Sequence, residues 1–364
     1  MNVVHVETGR HFYGGAEQVL YLSQGLLARG VDSTIVCQAD SAIDRAARSK
    51  GLPVATIPCG GDLDVLFAFR LKAWLSQSNP DLVHCHSRRG ADFFGGRAAA
   101  MAGIPALLSR RVDSKDSGLV AGIRYSPFRS VVAISETVRR ALRDSGVSDE
   151  NIVTIRSAVD ASAMQNPVDR QVWLREFDLT ADNVVAIVAA QLIERKGHVY
   201  LLEALPELCR VHENFRLIVF GRGPLESELR ERTTRLGLDD HVQFAGFRDD
   251  LDNFLGCADL AVHPALKEGL GVAMLKAAAA GLPVVAFDNA GAQEAVIDQQ
   301  TGLLVPPRDV ASLLQALRQL VENPVRRKSL GKAGQSRMQS EFSIDVMVDQ
   351  HLHLYQSIAD GSQK

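Results

Sequence analysis

The second half of the chain carries side chains suited to holding an anion and a sugar. Glu268 stands in Glu268-Gly-Leu-Gly271, directly before the apolar stretch 272–280. A carboxylate at such a turn accepts hydrogen bonds from sugar hydroxyls. The N–H groups of Gly269, Leu270, Gly271 and Val272, at a helix start, face a phosphate. Lys196, in Glu194-Arg195-Lys196-Gly197, follows the apolar run 184–190. A cation at the carboxyl end of a buried strand is a natural partner for pyrophosphate oxygens. Gly221-Arg-Gly-Pro224 follows a further apolar run, 216–220, and its glycines let backbone N–H groups approach a phosphate. Taken singly, each feature has a plainer reading. Glycine suits any strand-to-helix turn, Glu268 complements a helix dipole, and Arg195-Lys196 makes a solvated basic turn.

The first half offers a second set. Gly14-Gly15 precedes a helix starting near Ala16 and suits a loop close to a diphosphate or an acceptor; the plainer reading is a flexible loop tip. It is not the GxGxxG fingerprint, and no acidic residue closes the second strand, which argues against a nicotinamide cofactor. His84-Cys-His86-Ser-Arg88-Arg89 follows a strand at 82–84. Two imidazoles on one strand face suggest a metal, but no acidic or cysteine third ligand lies at a reliable spacing, so no metal is read here. Arg88 and Arg89 suit an anionic ligand or acceptor instead. Asp249-Asp-Leu-Asp252 reads as a helix start, where Asp is favoured, and predicts no metal dependence.

These groups must be positioned by two domains, because 364 residues exceed one typical core. Short apolar runs alternate with longer amphipathic stretches, the pattern of parallel sheets with crossover helices. Strands are expected at 3–6, 34–37, 54–57, 82–84, 106–109, 131–134 and 152–155, then at 184–190, 216–220, 242–245, 260–263, 283–286 and 303–305. Helices are expected between them, including 251–257, 272–280 and 310–323, with helical spacing again at 344–358. The polar segment 157–183 reads as a linker with one short helix. A net charge of −3 argues against a nucleic-acid binder. Five cysteines without CxxC spacing read as buried free thiols in a reducing compartment. The N-terminus shows no signal-peptide pattern and no apolar run reaches bilayer length, so the expected location is cytoplasmic.

Taken together, Gly14-Gly15, Asp81-Leu-Val-His-Cys-His86, Ile134-Ser135-Glu136, Lys196-Gly197, Gly221-x-Gly223, Gly246-Phe247, Glu268-Gly-x-Gly271 and Thr301-Gly302 form a familiar order. It resembles the retaining group 1 (family 4) glycosyltransferases of the GT-B fold, over nearly the whole chain. The segments 86–92 and 109–113 look similar to bacterial transferases that build lipopolysaccharide core. The resemblance implies an α/β fold of two doubly wound Rossmann-like domains facing across a cleft. Residues 1–162 would form the acceptor side, with a crossover helix at 343–364, and residues 163–342 the donor side.

It further implies Lys196, Glu268 and Arg111 as catalytic residues. The donor would lie against Gly15, Gly221, Gly223, Phe247, Gly269, Leu270, Gly271, Val272 and Lys276, and the acceptor against Gly14, His86, Arg88 and Arg89. Three positions depart from the family: Gln191 stands for an Arg, Arg111 for a His, and Lys276 for a second Glu set against ribose. Lysine donates to a hydroxyl but cannot accept from one. The expected activity is transfer of a hexose-type sugar, with retention, from a nucleotide-diphosphate donor, UDP first, to a lipid-linked surface glycan such as lipopolysaccharide core. The nucleotide-sugar is a substrate, so no cofactor and no metal are expected. The expected location extends to peripheral contact with the inner face of the cytoplasmic membrane. The three departures motivate a different reading, a non-catalytic GT-B scaffold that binds nucleotide or glycan, and a nucleotide-sugar 2-epimerase is a third.

Overall fold

The computed structural model describes residues 1–10, 12, 14–61, 63–86, 90–165 and 168–361. The chain divides into two compact units, one of Met1–Ala158 with Ile344–Lys364, the other of Val159–Ser343.

The first unit holds a seven-stranded, wholly parallel sheet. Its strands are β1 (Asn2–Val6), β2 (Asp32–Cys37), β3 (Val54–Thr56), β4 (Leu82–Cys85), β5 (Ala106–Arg110), β6 (Ser130–Ala133) and β7 (Ile152–Thr154). The helices are α1 (Gly14–Ala28), α2 (Ala42–Ser49), α3 (Val65–Ser78), α4 (Gly96–Ala102), α5 (Gly118–Tyr125) and α6 (Glu136–Asp144). A π-helical turn, Ala91–Gly95, leads into α4. The order β3-β2-β1-β4-β5-β6-β7 makes β1/β4 the point where the winding reverses. Ligands of open α/β sheets bind at the carboxyl ends of strands beside such a point. The strands are apolar on both faces because helices cover both: Val3, Val4, Val6, Val83 and Leu107 are buried.

The second unit holds α7 (Arg170–Glu176), α8 (His198–Val211), α9 (Glu226–Arg235), α10 (Val272–Ala279), α11 (Ala290–Ala295), α12 (Val310–Glu322) and α13 (Pro324–Glu341). Its strands are β8 (Val184–Ala189), β9 (Phe215–Phe220), β10 (Val242–Gly246), β11 (Leu260–His263), β12 (Val284–Phe287) and β13 (Gly302–Val305). They are parallel in the order β10-β9-β8-β11-β12-β13, with the reversal at β8/β11. The last helix, α14 (Ile344–Ala359), packs on α1 of the first unit and seats Val348 against Gly25, where an added Cβ would stand 2.4 Å from a Val348 methyl.

Three expectations need correction. The segment 157–183 carries the one short helix expected, α7, but is no linker, since α7 buries Trp173 completely among the rings of Phe177, Phe220 and Phe254. The helix expected at 251–257 is two short 3-10 turns, Leu251–Asn253 and Leu255–Cys257. The 18-residue α13 was not expected at all. Its buried face is Leu330, Gly331, Gly334 and Met338, and half of that face is glycine, which leaves no apolar periodicity to read.

Gly331 is there for contact. A Cβ on it would lie 2.0 Å from the Gly281 carbonyl oxygen, where α13 crosses the end of α10. Alanine is the better helix former by about 1 kcal/mol. Gly331→Ala should nevertheless lower stability by about 2 kcal/mol, since backbone must separate to admit the methyl. Urea unfolding of the variant checks the sign, and a gain in midpoint would refute the contact.

Candidate functional site

In the second unit the expected residues converge beside the β8/β11 reversal. Lys196 ends the 3-10 turn Glu194–Lys196 that follows β8. Glu268 lies in the loop between β11 and α10. The Lys196 ammonium donates to Glu268 Oε2, and His263, the last residue of β11, donates its Nε2–H to the same oxygen at 3.0 Å. Lys196 and Glu268 are only 11% and 13% exposed, so this is a largely desolvated pair. Burial pushes the Glu268 carboxyl up, but the His263 N–H and the Lys196 ammonium outweigh it and hold it at about 2. Burial lowers His263 despite the opposing Glu268 bond, so its ring is a neutral donor.

Glycines close-pack the surrounding loops. A Cβ on Gly197 would stand 1.9 Å from the Pro264 carbonyl oxygen, one on Gly221 1.9 Å from that of Ala190, and one on Gly223 2.3 Å from that of Leu192. Gly221 and Gly223 thus owe their identity to backbone stacking as well as to any phosphate. Gly271, in the left-handed region at φ 75°, turns the chain into α10. The first amides of α10, from Val272, lack intrahelical acceptors and carry the positive end of the helix dipole. Leu270 is buried and anchors this turn, while Gly269 donates to Glu268 Oε1 at 3.3 Å. Phe247, 53% exposed, lies under the Arg222 guanidinium 4.8 Å from its ring centre, a flat surface beside Gly246.

Lys276 bonds Asp252 Oδ2 at 2.7 Å. Asp252 therefore belongs to this pair, and Asp250 to Arg248, so the Asp249–Asp252 run does not cap a helix through these side chains. Asp252 also returns to position 276 the carboxylate acceptor that lysine lacks. His198 was missed by the sequence reading. It is buried directly after Gly197, both ring nitrogens lack a partner among the described residues, and burial holds it neutral at about 4. The signal was its place immediately after Lys196-Gly197.

The first unit gathers a separate cluster at its own reversal. Register pairs His5 with His84, and His86 follows β4. His5 Nδ1 and His86 Nε2 are hydrogen-bonded at 3.0 Å. His84 bonds the Tyr355 hydroxyl at 2.6 Å and Ser109 Oγ at 2.8 Å. His5 supplies the third imidazole that spacing could not reveal, and one nitrogen from each of His5, His84 and His86 falls within 4.8 Å of the others. The donor set still suits neutral, hydrogen-bonded rings better than a cation. Both His84 nitrogens are engaged, no carboxylate or thiolate joins the three rings among the described residues, and the Arg111 charge lies close enough to lower His84 and His86.

Arg111 directly follows β5, and its side chain lies against Gly15, where a Cβ would be 3.2 Å from Arg111 Cδ. It donates to Ser157 Oγ at 3.3 Å. Burial lowers Arg111 to about 10 and the Glu7 carboxylate opposes this, so the guanidinium stays charged. Glu7, buried just beyond β1, was also missed, for a lone glutamate after a strand carries no motif. Gly14 opens α1 beside Gly15. Arg110, the neighbour of Arg111, is buried, bonds Ser114 and pairs with Asp116 at 3.5 Å. Arg88 and Arg89 lie outside the described residues.

Comparison with known proteins agrees with these elements. Residues 13–163 match glycosyltransferase family 4, and residues 169–337 match the family described as glycosyl transferases group 1. The lipopolysaccharide core biosynthesis glycosyltransferase LpsE of Rhizobium meliloti is 27% identical over 98% of this chain and 99% of its own length. A GDP-mannose-dependent monoacylated alpha-(1-6)-phosphatidylinositol monomannoside mannosyltransferase of Corynebacterium glutamicum is 30% identical, over 62% of this chain and 61% of its own. Among solved structures, Anabaena HepE in complex with UDP superposes with a TM-score of 0.87, at 21% identity over 98% of this chain and 100% of that one. With two parallel-sheet Rossmann-like units and both family halves in order, the chain belongs to the group 1 (family 4) glycosyltransferases of the GT-B fold.

Proposed function

We propose that the protein transfers a hexose-type sugar from a nucleotide-diphosphate-sugar, a UDP-sugar, to a growing lipid-linked surface glycan of the lipopolysaccharide-core kind, with retention at the anomeric carbon. The observation that carries this reading is the Lys196–Glu268–His263 constellation before the N-terminus of α10. It combines a cation and helix amides for the diphosphate with a fixed carboxylate for sugar hydroxyls. The full-length likeness to LpsE supports the acceptor class.

Retention here needs no protein nucleophile. The departing phosphate oxygen takes the acceptor hydroxyl's proton while that hydroxyl attacks the anomeric carbon from the same face. The protein then contributes positioning and stabilisation of the leaving diphosphate. Lys196 is assigned that stabilisation, and the resemblance assigns Arg111 the same task. Glu268, held ionised, orients the sugar. Asp252 and Lys276 together are assigned to the ribose, one accepting and one donating.

Calorimetric titration with UDP, GDP, ADP and CMP, without added metal, tests the donor half. Binding of UDP at least tenfold tighter than GDP is the expected outcome. Preference for GDP, as in the name of the Corynebacterium relative, would replace the donor and keep the reaction. Binding of none at millimolar levels would favour the non-catalytic scaffold. A product whose anomeric proton shows inversion by NMR would overturn the stereochemical part.

A further inference from the structure

A buried network of two arginines and two aspartates lies in the first unit. Arg124 of α5 donates to Asp116 Oδ1 at 2.6 Å and stands 3.3 Å from Asp92 Oδ2, in the π-helical turn Ala91–Gly95. Asp116 also accepts from the Tyr125 hydroxyl at 2.7 Å and meets Arg110, the last residue of β5, at 3.5 Å. The side chains of Arg110, Asp92, Asp116 and Arg124 are 4%, 5%, 8% and 15% exposed, so the two cations and two anions are desolvated together. Burial pushes the Asp116 carboxyl up, but the bonds from Arg124 and Tyr125 outweigh it and hold it below the ordinary carboxylate value. A buried charge deprived of its partner is strongly destabilising, so the set constrains where each member stands.

The network lies behind the strand ends that carry the site. Successive residues of a strand project to opposite faces. The π-helical turn rests on Cys85, where a Cβ on Gly95 would be 2.5 Å from Cys85 Sγ, and the next residue, His86, bonds His5. Arg110 faces Asp116, and the next residue, Arg111, lies against Gly15 and Ser157. Arg110 also donates to the Ser114 carbonyl at 2.8 Å, which folds the loop after β5 back onto its own start. The Arg124 guanidinium therefore joins the turn that follows β4 to the loop that follows β5. Arg97 of α4 makes a second tie to α5, donating to the Phe93 and Ile123 carbonyls without touching Asp116.

We propose that Arg124 is a positioning residue for sugar transfer. By fixing the turn on Cys85 and the loop that ends on Asp116 to one guanidinium, it sets His86 and Arg111 in a constant relation at the carboxyl ends of β4 and β5. This rests on the proposed transfer reaction and adds a residue that acts on it through others.

Two conservative variants test it. Arg124→Lys keeps the charge and loses the planar fork, and Asp92→Asn removes the charge at the turn alone. Arg97 keeps α5 seated in both, so circular dichroism and melting temperature should stay close to wild type. Each variant should lower kcat/KM for the acceptor about tenfold or more, the scale of loss from small misplacements of positioned groups, with the UDP dissociation constant unchanged. The double variant should lose no more than the worse single one, because both cut the same link. Hydrogen exchange followed by mass spectrometry should quicken in 91–95 and 111–116 together. Unchanged transfer in Arg124→Lys, additive losses, or exchange quickened in one segment only overturns the proposal. So do losses that track the melting temperature and UDP binding, since the network would then be structural alone. A wild type that transfers no sugar would strike the enzymatic reading. Joint exchange would in that case keep the link between turn and loop standing, and separate exchange would overturn it as well.

Discussion

Lys196→Ala should lower turnover on the nucleotide-sugar by about 100-fold while the fold survives, the loss typical of removing one positioned charge-stabilising donor. The ammonium is 11% exposed, so water neither screens it nor replaces it in the wild type. A diphosphate leaving group gains negative charge as the glycosidic bond breaks, and Lys196, paired with Glu268 beside the β8/β11 reversal, is the residue proposed to meet it. The loss should fall mainly in kcat, because the contact strengthens in the transition state. Lys196→Arg should recover only part of it, since a planar fork does not reproduce a point charge. Glu268 keeps the His263 N–H after the substitution and is not left without a partner. Steady-state assay of nucleotide release, with circular dichroism as the control for folding, checks this. Turnover within threefold of wild type would remove Lys196 from the chemistry.

Acidification from pH 7.5 to 5 should destabilise the first unit by at least about 4 kcal/mol, through histidines that fold only as neutral rings. Burial lowers His5 to about 3, with the His351 charge adding to it, and lowers His351 to about 4, with Arg111 adding and the Met347 carbonyl opposing. His84 and His86 lie well below their ordinary value for the same first cause. Unfolded, all four rings return to the usual 6.5. Above that value both states are neutral and stability is flat. Below it the unfolded chain binds protons that the folded chain refuses. Stability then falls by about 1.4 kcal/mol per pH unit for each such histidine, until the folded value is reached. His5 and His351 alone, over the 1.5 units from 6.5 to 5, give roughly the figure stated. Glu268, depressed to about 2, loses its contribution only below the ordinary carboxyl range, so the window from 6.5 to 5 belongs to the histidines. Urea unfolding at the two pH values measures the effect. An unchanged midpoint would mean that the rings are already charged or solvated in the folded protein.

Much of the site was legible because its motifs are local. Glu268-Gly-Leu-Gly271 and Lys196-Gly197 each sit at a strand end whose apolar run announces it, so both residues could be named in advance. Glu7 and His5 were passed over because a single polar residue in or beside a strand has no period and no spacing, and His198, the first residue of α8, was passed over although it directly follows Lys196-Gly197. Arg111 could be singled out only through the resemblance, and sequence could not show that its neighbour Arg110 is locked to Asp116 while Arg111 lies against Gly15.

The alternation of apolar runs by itself determined the α/β class and the parallel sheets, because strands covered on both faces must be apolar throughout, and the chain length implied two domains. It also determined which turns could hold a phosphate, since glycine and helix starts are local properties. Only the tertiary structure decided which side chains meet. Lys196 reaches Glu268 across 72 positions, His84 reaches Tyr355 across 271, and Asp252 comes to Lys276 to supply the missing acceptor. Chain periodicity records which face a residue presents to its own element, whereas an ion pair or hydrogen bond acts over about 3–4 Å in space. That distance is set by how the strands are ordered and in what register they pair.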